Sequence, residues 1–195
     1  MKILLLSDVE SKYIWDYFNP ERFKDIELVI SCGDLKSEYL SFIVTMIKAP
    51  LLYVHGNHDT DYLTNPPEGC QCIDDKLVVY KGIRIVGLGG SKFYNSSLLQ
   101  YTEAQMEMRI AKLRPRIWWH NGFDILVTHA AAYGLGDGDD KCHEGFKAFN
   151  RLIDKYEPKY FIHGHMHLNY GNKERIIKYK NTTIINAYQY YILEY

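Results

Sequence analysis

The sequence predicts an α/β fold in which two packed β-sheets are flanked by helices. Three observations predict it. Short apolar runs of strand character alternate with helical patterns through the first half of the chain, as parallel pairing requires. Consecutive strands follow around residues 173–194, which calls for a second sheet. Polar residues, often beside glycine, follow the apolar runs directly, as at the carboxyl edge of an α/β sheet.

The strand candidates, in order, are Ile3–Leu6, Leu28–Ser31, Leu51–Val54, Leu77–Tyr80, Ile83–Leu88, Ile125–Thr128 and Tyr160–Ile162. Between them lie helical candidates Tyr13–Phe18, Ser37–Lys48, Thr102–Leu113 and Glu144–Tyr156. Phe146, Phe149, Ile153 and Tyr156 give the last a near-helical period. Thr102 with Gln105 forms a capping-box pair, and Pro115 is expected to end that helix. Lys180-Asn181 suits a hairpin turn, and the tyrosine-rich segment Ala187–Tyr195 suits a terminal strand. A stacking platform for a base or sugar is the other reading of those tyrosines.

With 195 residues, 47% hydrophobic and 24% charged, the chain is expected to form one domain over residues 1–195 with a substantial core. A net charge of −1 supplies no global basic field for nucleic acid or an anionic membrane. The opening Met-Lys-Ile-Leu-Leu-Leu-Ser-Asp has too short an apolar run for a signal peptide or membrane span. Cys32, Cys70, Cys72 and Cys142 lack zinc-finger spacing and read as reduced thiols, so a cytoplasmic protein is expected.

Five strand candidates end alike. Ile3–Leu6 leads to Ser7-Asp8-Val9-Glu10, and Leu28–Ser31 to Cys32-Gly33-Asp34. Leu51–Val54 leads to His55-Gly56-Asn57-His58-Asp59, Ile125–Thr128 to His129, and Tyr160–Ile162 to His163-Gly164-His165-Met166-His167. Carboxylates, an amide and imidazoles on one edge suit divalent metals such as Mn, Zn, Fe or Ni, and the absence of cysteine argues against a structural zinc site. The neighbouring glycines permit close backbone approach there.

This set resembles the calcineurin-like metallophosphoesterases, whose signature is D-x-H, G-D, G-N-H-[DE], a lone His after a strand, and G-H-x-H. The likeness covers essentially the whole chain. The stretch from Asp124–His129 through Gly134–Asp137 to Gly164–His167 and Tyr170-Gly171 is similar further to the metallophosphoesterase-domain (MPPED-type) branch. The resemblance implies a four-layer αββα sandwich and two divalent ions, Mn foremost, with Fe, Zn, Ni or Mg as alternatives. It implies Asp8 and His167 on one metal, Asn57, His129 and His165 on the other, and Asp34 bridging. It also implies hydrolysis by water or hydroxide held between the metals, with His58 at the phosphate and leaving group. Asp59 is expected either to orient this loop or its histidine, or to serve turn chemistry alone.

Glu10 departs from the pattern, which has histidine there. As a ligand it would bring the carboxylates, with Asp8 and Asp34, to three against about four positive charges, raise the pKa of the bridging water and favour Mn or Mg. As a solvent-facing side chain it would leave that metal short of a ligand.

The expected partner is a small phosphoester. The second motif reads Gly33-Asp34-Leu35-Lys36-Ser37-Glu38, without the arginine of the protein-phosphatase form G-D-x-V-D-R-G, so a phosphodiester is favoured over a phosphoprotein. The alternative is an inactive scaffold that binds a partner protein; such members typically lose the catalytic histidine, which this chain retains as His58. A metal-dependent nuclease is less favoured, because the chain lacks a basic surplus.

The remaining features have ordinary explanations. His55 and His163 suit hydrogen bonding behind the site. His120 and His143 read as loop residues, Gly87–Ser91 as a tight strand exit, and Gly134–Asp140 as a site rim. Trp118-Trp119, after Arg114-Pro-Arg116, reads as a buried pair beside a helix end, with nucleic-acid contact as the other reading.

Overall fold

The computed structural model describes residues 1–95, 98–169 and 174–195. Along the chain come β1 (Lys2–Ser7), α1 (Lys12–Trp15), α2 (Pro20–Phe23), β2 (Ile26–Ser31), α3 (Ser37–Met46) and β3 (Leu51–Tyr53). After a 3₁₀ turn at Asp59–Leu63 follow β4 (Gln71–Cys72), β5 (Lys76–Tyr80), β6 (Ile83–Leu88), β7 (Ser91–Lys92), β8 (Gln100–Tyr101) and α4 (Glu103–Trp119). Then come β9 (Ile125–Thr128), α5 (Lys147–Tyr156), β10 (Tyr160–His163), β11 (Ile176–Tyr179), β12 (Thr182–Asn186) and β13 (Gln189–Glu194).

One sheet has the order β13-β1-β2-β3-β4 and the other β11-β12-β10-β9-β6-β5. β1, β2, β3 and β4 run parallel, as do β12, β10, β9 and β6; β13, β11 and β5 add antiparallel edges. Successive side chains on a strand face opposite sides, and the core follows that period. Ile3, Leu5, Leu28 and Ile30 meet Ile85, Ile125, Val127 and Ile162 between the sheets. Their neighbours Leu4, Leu6 and Val29 pack outward on Ile14, Tyr39, Leu40 and Ile43. On the far side Val86, Leu126, Phe161 and Ile184 pack on α4 and α5. The four layers are therefore helix, sheet, sheet, helix, as expected.

Every strand candidate up to Tyr160–Ile162 is present within a residue or two. Lys180 and Asn181 turn between antiparallel β11 and β12, and the tyrosine-rich segment pairs as β13 with β1. Residues 170–173, which include Tyr170-Gly171 and the first residue of the segment 173–194, lie outside the described residues. The sequence reading did not anticipate α2, β4, β7 or β8, all too short to show a period.

Two expectations at α4 fail for one reason. The helix runs through Pro115 to Trp119 because its buried stripe, Met106, Ile110, Leu113 and Ile117, continues past the proline. Tertiary burial outweighs the lost backbone bond. Trp118 and Trp119 lie just off that stripe and are 76% and 78% exposed rather than buried. The capping box is present, with Gln105 N–H donating to Thr102 Oγ1 at 3.2 Å and Thr102 N–H to Gln105 Oε1 at 2.8 Å. Among the described residues no helix is long and apolar enough to cross a membrane.

Pro115 is exposed inside α4. Pro115→Ala restores one intrahelical donor and should stabilise the protein by about 1–3 kcal/mol. The check is a higher urea midpoint with an unchanged slope.

Candidate metal centre

The ends of β1, β2, β3, β9 and β10 bring the five polar segments onto one edge, two sheets contributing to one site. Carboxylates knit the loops together. Asp8 accepts from the His165 N–H at 3.0 Å, linking the β1 end to the β10 end. Asp34 Oδ1 accepts from the His58 N–H at 2.8 Å. Asp59, buried, accepts from the N–H groups of Gly56 at 2.7 Å and Asp34 at 2.8 Å. The loops approach so closely that a Cβ on Gly56 would fall on the Asp34 carboxylate, and one on Gly164 on the Ser7 hydroxyl. Asp8, Asp34 and His165 all take positive φ, 68°, 57° and 64°. Aspartate and histidine enter that region more readily than most residues, and here the surrounding structure holds all three in it.

His129 is fully buried and organises the centre. Its Nδ1 lies 2.7 Å from the Cys32 carbonyl, which can only accept, so Nδ1 carries the proton. Nε2 then presents a lone pair. Around it lie Asn57 Oδ1 at 3.0 Å, His165 Nδ1 at 3.1 Å and Asp34 Oδ2 at 3.3 Å. His165 is tied in the same way, Nε2 donating to the Cys142 carbonyl at 2.7 Å, so its Nδ1 is a second lone pair. The Asn57 amide donates to the Tyr94 hydroxyl at 3.1 Å, which turns its oxygen inward. Two imidazole nitrogens, an amide oxygen and a carboxylate oxygen thus converge, each imidazole oriented by a backbone carbonyl behind it. Four electron-rich atoms this close repel unless a cation sits among them, and an N₂O₂ donor set fits a divalent metal.

The surroundings of these groups make the same demand for positive charge. Burial raises the Asp34 carboxyl, but the attraction of His129 and its hydrogen bond win, pulling it down to about 2. Burial lowers His129, but Asp34 and Asp8 lift it to about 9, so without a metal a second proton on Nε2 supplies the positive charge that a bound ion would replace. Burial raises Asp8, and raises Asp59 to about 6 with the Asp34 charge adding to it.

Asp34, His58, Asp8, His165 and His167 line one cleft of about 470 Å³ with Tyr94, Cys142 and His143. His58 is exposed there, and the His167 ring packs on Tyr188 with centroids 4.9 Å apart. Glu10 is not among the residues that line this cleft. Its Oε1 is 3.4 Å from the Lys36 backbone nitrogen, and it lines an adjoining groove that shares Asp34 and His58 with the cleft. Asp59 holds backbone of its own loop and of the Asp34 loop, a positioning role. His55 pairs with Asp74 and His163 Nδ1 with the Gly164 carbonyl, as hydrogen bonding behind the site anticipated. His143 is a loop residue, as expected, but the loop carries it to the site. Its ring packs on His165 at 5.0 Å between centroids and lines the cleft, with Asp140 Oδ2 2.8 Å from Nδ1. Tyr94 and the Cys32 and Cys142 carbonyls were also missed, since a backbone acceptor leaves no residue-type signal.

The family model of the calcineurin-like phosphoesterases matches residues 1–169, and the chain belongs to that family. Among curated proteins it is 24% identical to the UPF0046 protein K07C11.7 of Caenorhabditis elegans, over 97% of this chain and 70% of that one. The crystal structure of TT1561 of Thermus thermophilus superposes with a TM-score of 0.65 at 15% identity, covering 95% and 88% of the two chains. The 5′-nucleotidase of Candida albicans SC5314 gives 0.54 at 14% identity, over 95% of this chain and 44% of that one. These likenesses show the fold. The family makes the chain a metallophosphoesterase, a hydrolase that uses divalent metal.

Asp59→Ala removes the acceptor of two loop N–H groups and should cost roughly 2–5 kcal/mol, whereas Asp59→Asn keeps an oxygen there and should recover most of it. Urea unfolding of the two variants beside the parent checks this.

Proposed function

We propose that this protein is a dimetal-dependent phosphoesterase that prefers phosphodiesters. The observation that supports it is the convergence of Asn57 Oδ1, His165 Nδ1 and Asp34 Oδ2 on His129 Nε2, with both rings tied off behind. Asn57, His129 and His165 would hold one divalent ion, Asp8 and His167 a second, and Asp34 both. When bound, such ions polarise phosphoryl oxygens and lower the pKa of water toward neutrality. Manganese suits this N/O donor set.

The chain's own groups supply the rest. The His58 N–H fixes the Asp34 carboxylate, so the metal-holding oxygen and the His58 side chain keep one relative position. The His58 imidazole, exposed in the cleft, donates to a phosphoryl oxygen or to the departing oxygen as the ester bond breaks. Tyr94 keeps the Asn57 oxygen turned inward. Asp59 holds the Gly56 and Asp34 backbone. The cleft volume suits a small phosphoester. A diester carries one negative charge where a monoester carries up to two, and the adjoining groove brings Glu10, Glu38, Asp59 and Asp61 against Lys36. That balance favours the diester.

Metal-stripped protein reloaded separately with Mn, Ni, Zn and Mg should hydrolyse an aryl phosphodiester faster than the matching monoester, with Mn the most effective. His58→Ala should lower diester turnover by about 10²–10⁴-fold with metal content unchanged. No turnover by folded, metal-loaded protein would overturn catalysis and leave a scaffold. We further propose Glu10 as the acidic group that replaces the family histidine. Glu10→His should then shift metal preference from Mn and Mg toward Zn and displace the acidic limb of the pH–rate profile; an unchanged preference and profile would sink this role.

A further inference from the structure

We infer that His55, Cys72 and Asp74 form a second, separate metal site, one that takes a thiophilic divalent ion such as zinc. Their donor atoms lie within 4.8 Å of one another. His55 Nδ1 points at both of the others, 2.5 Å from Asp74 Oδ2 and 3.9 Å from Cys72 Sγ. One ring proton is divided poorly between a carboxylate and a sulfur 3.9 Å away, whereas a cation can bridge all three atoms. With zinc distances of about 2.3 Å to sulfur and 2.0–2.1 Å to nitrogen, tetrahedral bonding places S and N roughly 3.5 Å apart. The observed separation needs only a few tenths of an ångström of closure. His55 and Asp74 are hydrogen-bonded in the metal-free protein, and the ion takes the place of that proton, released to solvent, as the pair opens to roughly 3.4 Å.

The surroundings are those of a held ligand set. The Asp74 carboxylate accepts from the Gly89 N–H at 2.5 Å and from the His55 N–H at 3.3 Å, so backbone donors orient it. A Cβ on Gly89 would fall against that carboxylate. The His55 ring is packed against Tyr53 and Tyr62, at 5.5 and 5.8 Å between centroids. The His55 and Asp74 side chains are 12% and 17% exposed, which leaves an entry path and room for water as the fourth ligand. On binding, the Cys72 thiol gives its proton to solvent. A thiolate beside imidazole and carboxylate selects zinc over manganese or magnesium, whereas the catalytic centre offers only nitrogen and oxygen donors.

The placement gives the ion a structural task. His55 follows β3 and Cys72 ends β4 in one sheet, while Asp74 bridges to Gly87 of β6 and binds Gly89 just beyond it in the other. An ion here would pin both sheets two residues before Asn57.

Cobalt(II) tests it, because a thiolate ligand gives cobalt an intense near-ultraviolet charge-transfer band, whereas the N and O donors proposed for the catalytic centre give none. The readout needs no turnover, so it stands or falls apart from the proposed catalysis. Reduced wild-type protein titrated with cobalt should show the band and bind one more zinc per chain than Cys72→Ser, which should lack the band. Asp74→Asn should retain it with affinity at least tenfold weaker. No band in folded wild-type protein, or a band that survives Cys72→Ser, would overturn the site.

Discussion

Everything at the centre depends on backbone N–H groups of one loop ending on carboxylates of another. Asp8, Asp34, Asp59 and Asp74 receive five such bonds between them, from His165, His58, Asp34, Gly89 and His55, and Asp59 takes a sixth from Gly56 of its own loop. Loop N–H groups at buried strand ends have no ladder partners and would otherwise be left unpaired at a cost. Meeting that need with charged acceptors joins loops far apart in sequence and gathers negative charge on one edge. The metal demand of the site is thus a by-product of how its loops are held.

The layered core makes this possible. The alternation of Ile3 and Leu5 inward with Leu4 and Leu6 outward buries both faces of β1, and the same holds across β2, β9 and β10. A strand packed on both faces cannot slip by one residue without turning its apolar set over, so its end is fixed in space. That rigidity is what lets His129, from one sheet, reach the Cys32 carbonyl of the other at 2.7 Å.

Much of this was legible in the sequence because its signals were local. Val-His-Gly-Asn-His-Asp and His-Gly-His-Met-His are dense in unusual residues, and the apolar runs before them have clear strand period. Where the signal was not local, the sequence misled. Pro115 is a helix breaker by propensity, yet Leu113 and Ile117 find buried partners either side of it. Trp118 and Trp119 are apolar by composition, yet the helix phase turns them to solvent. His143 sits in an acidic loop with no strand before it, and only the return of that loop over His165 brings it to the cleft. Tyr94 and the two carbonyls are reached only through three-dimensional proximity.

The pairing of β1 between β2 and β13 has a temporal side. β1 is made at the start of this chain, but its other neighbour spans Gln189–Glu194. Until those residues are made, an apolar strand therefore keeps one edge without its eventual partner, and the site lacks links that join residues tens to over a hundred positions apart. Long-range closure of this kind is slow, and an open apolar edge invites pairing with other chains meanwhile. Metal can therefore be gathered only after the last strands of the site have been made and paired.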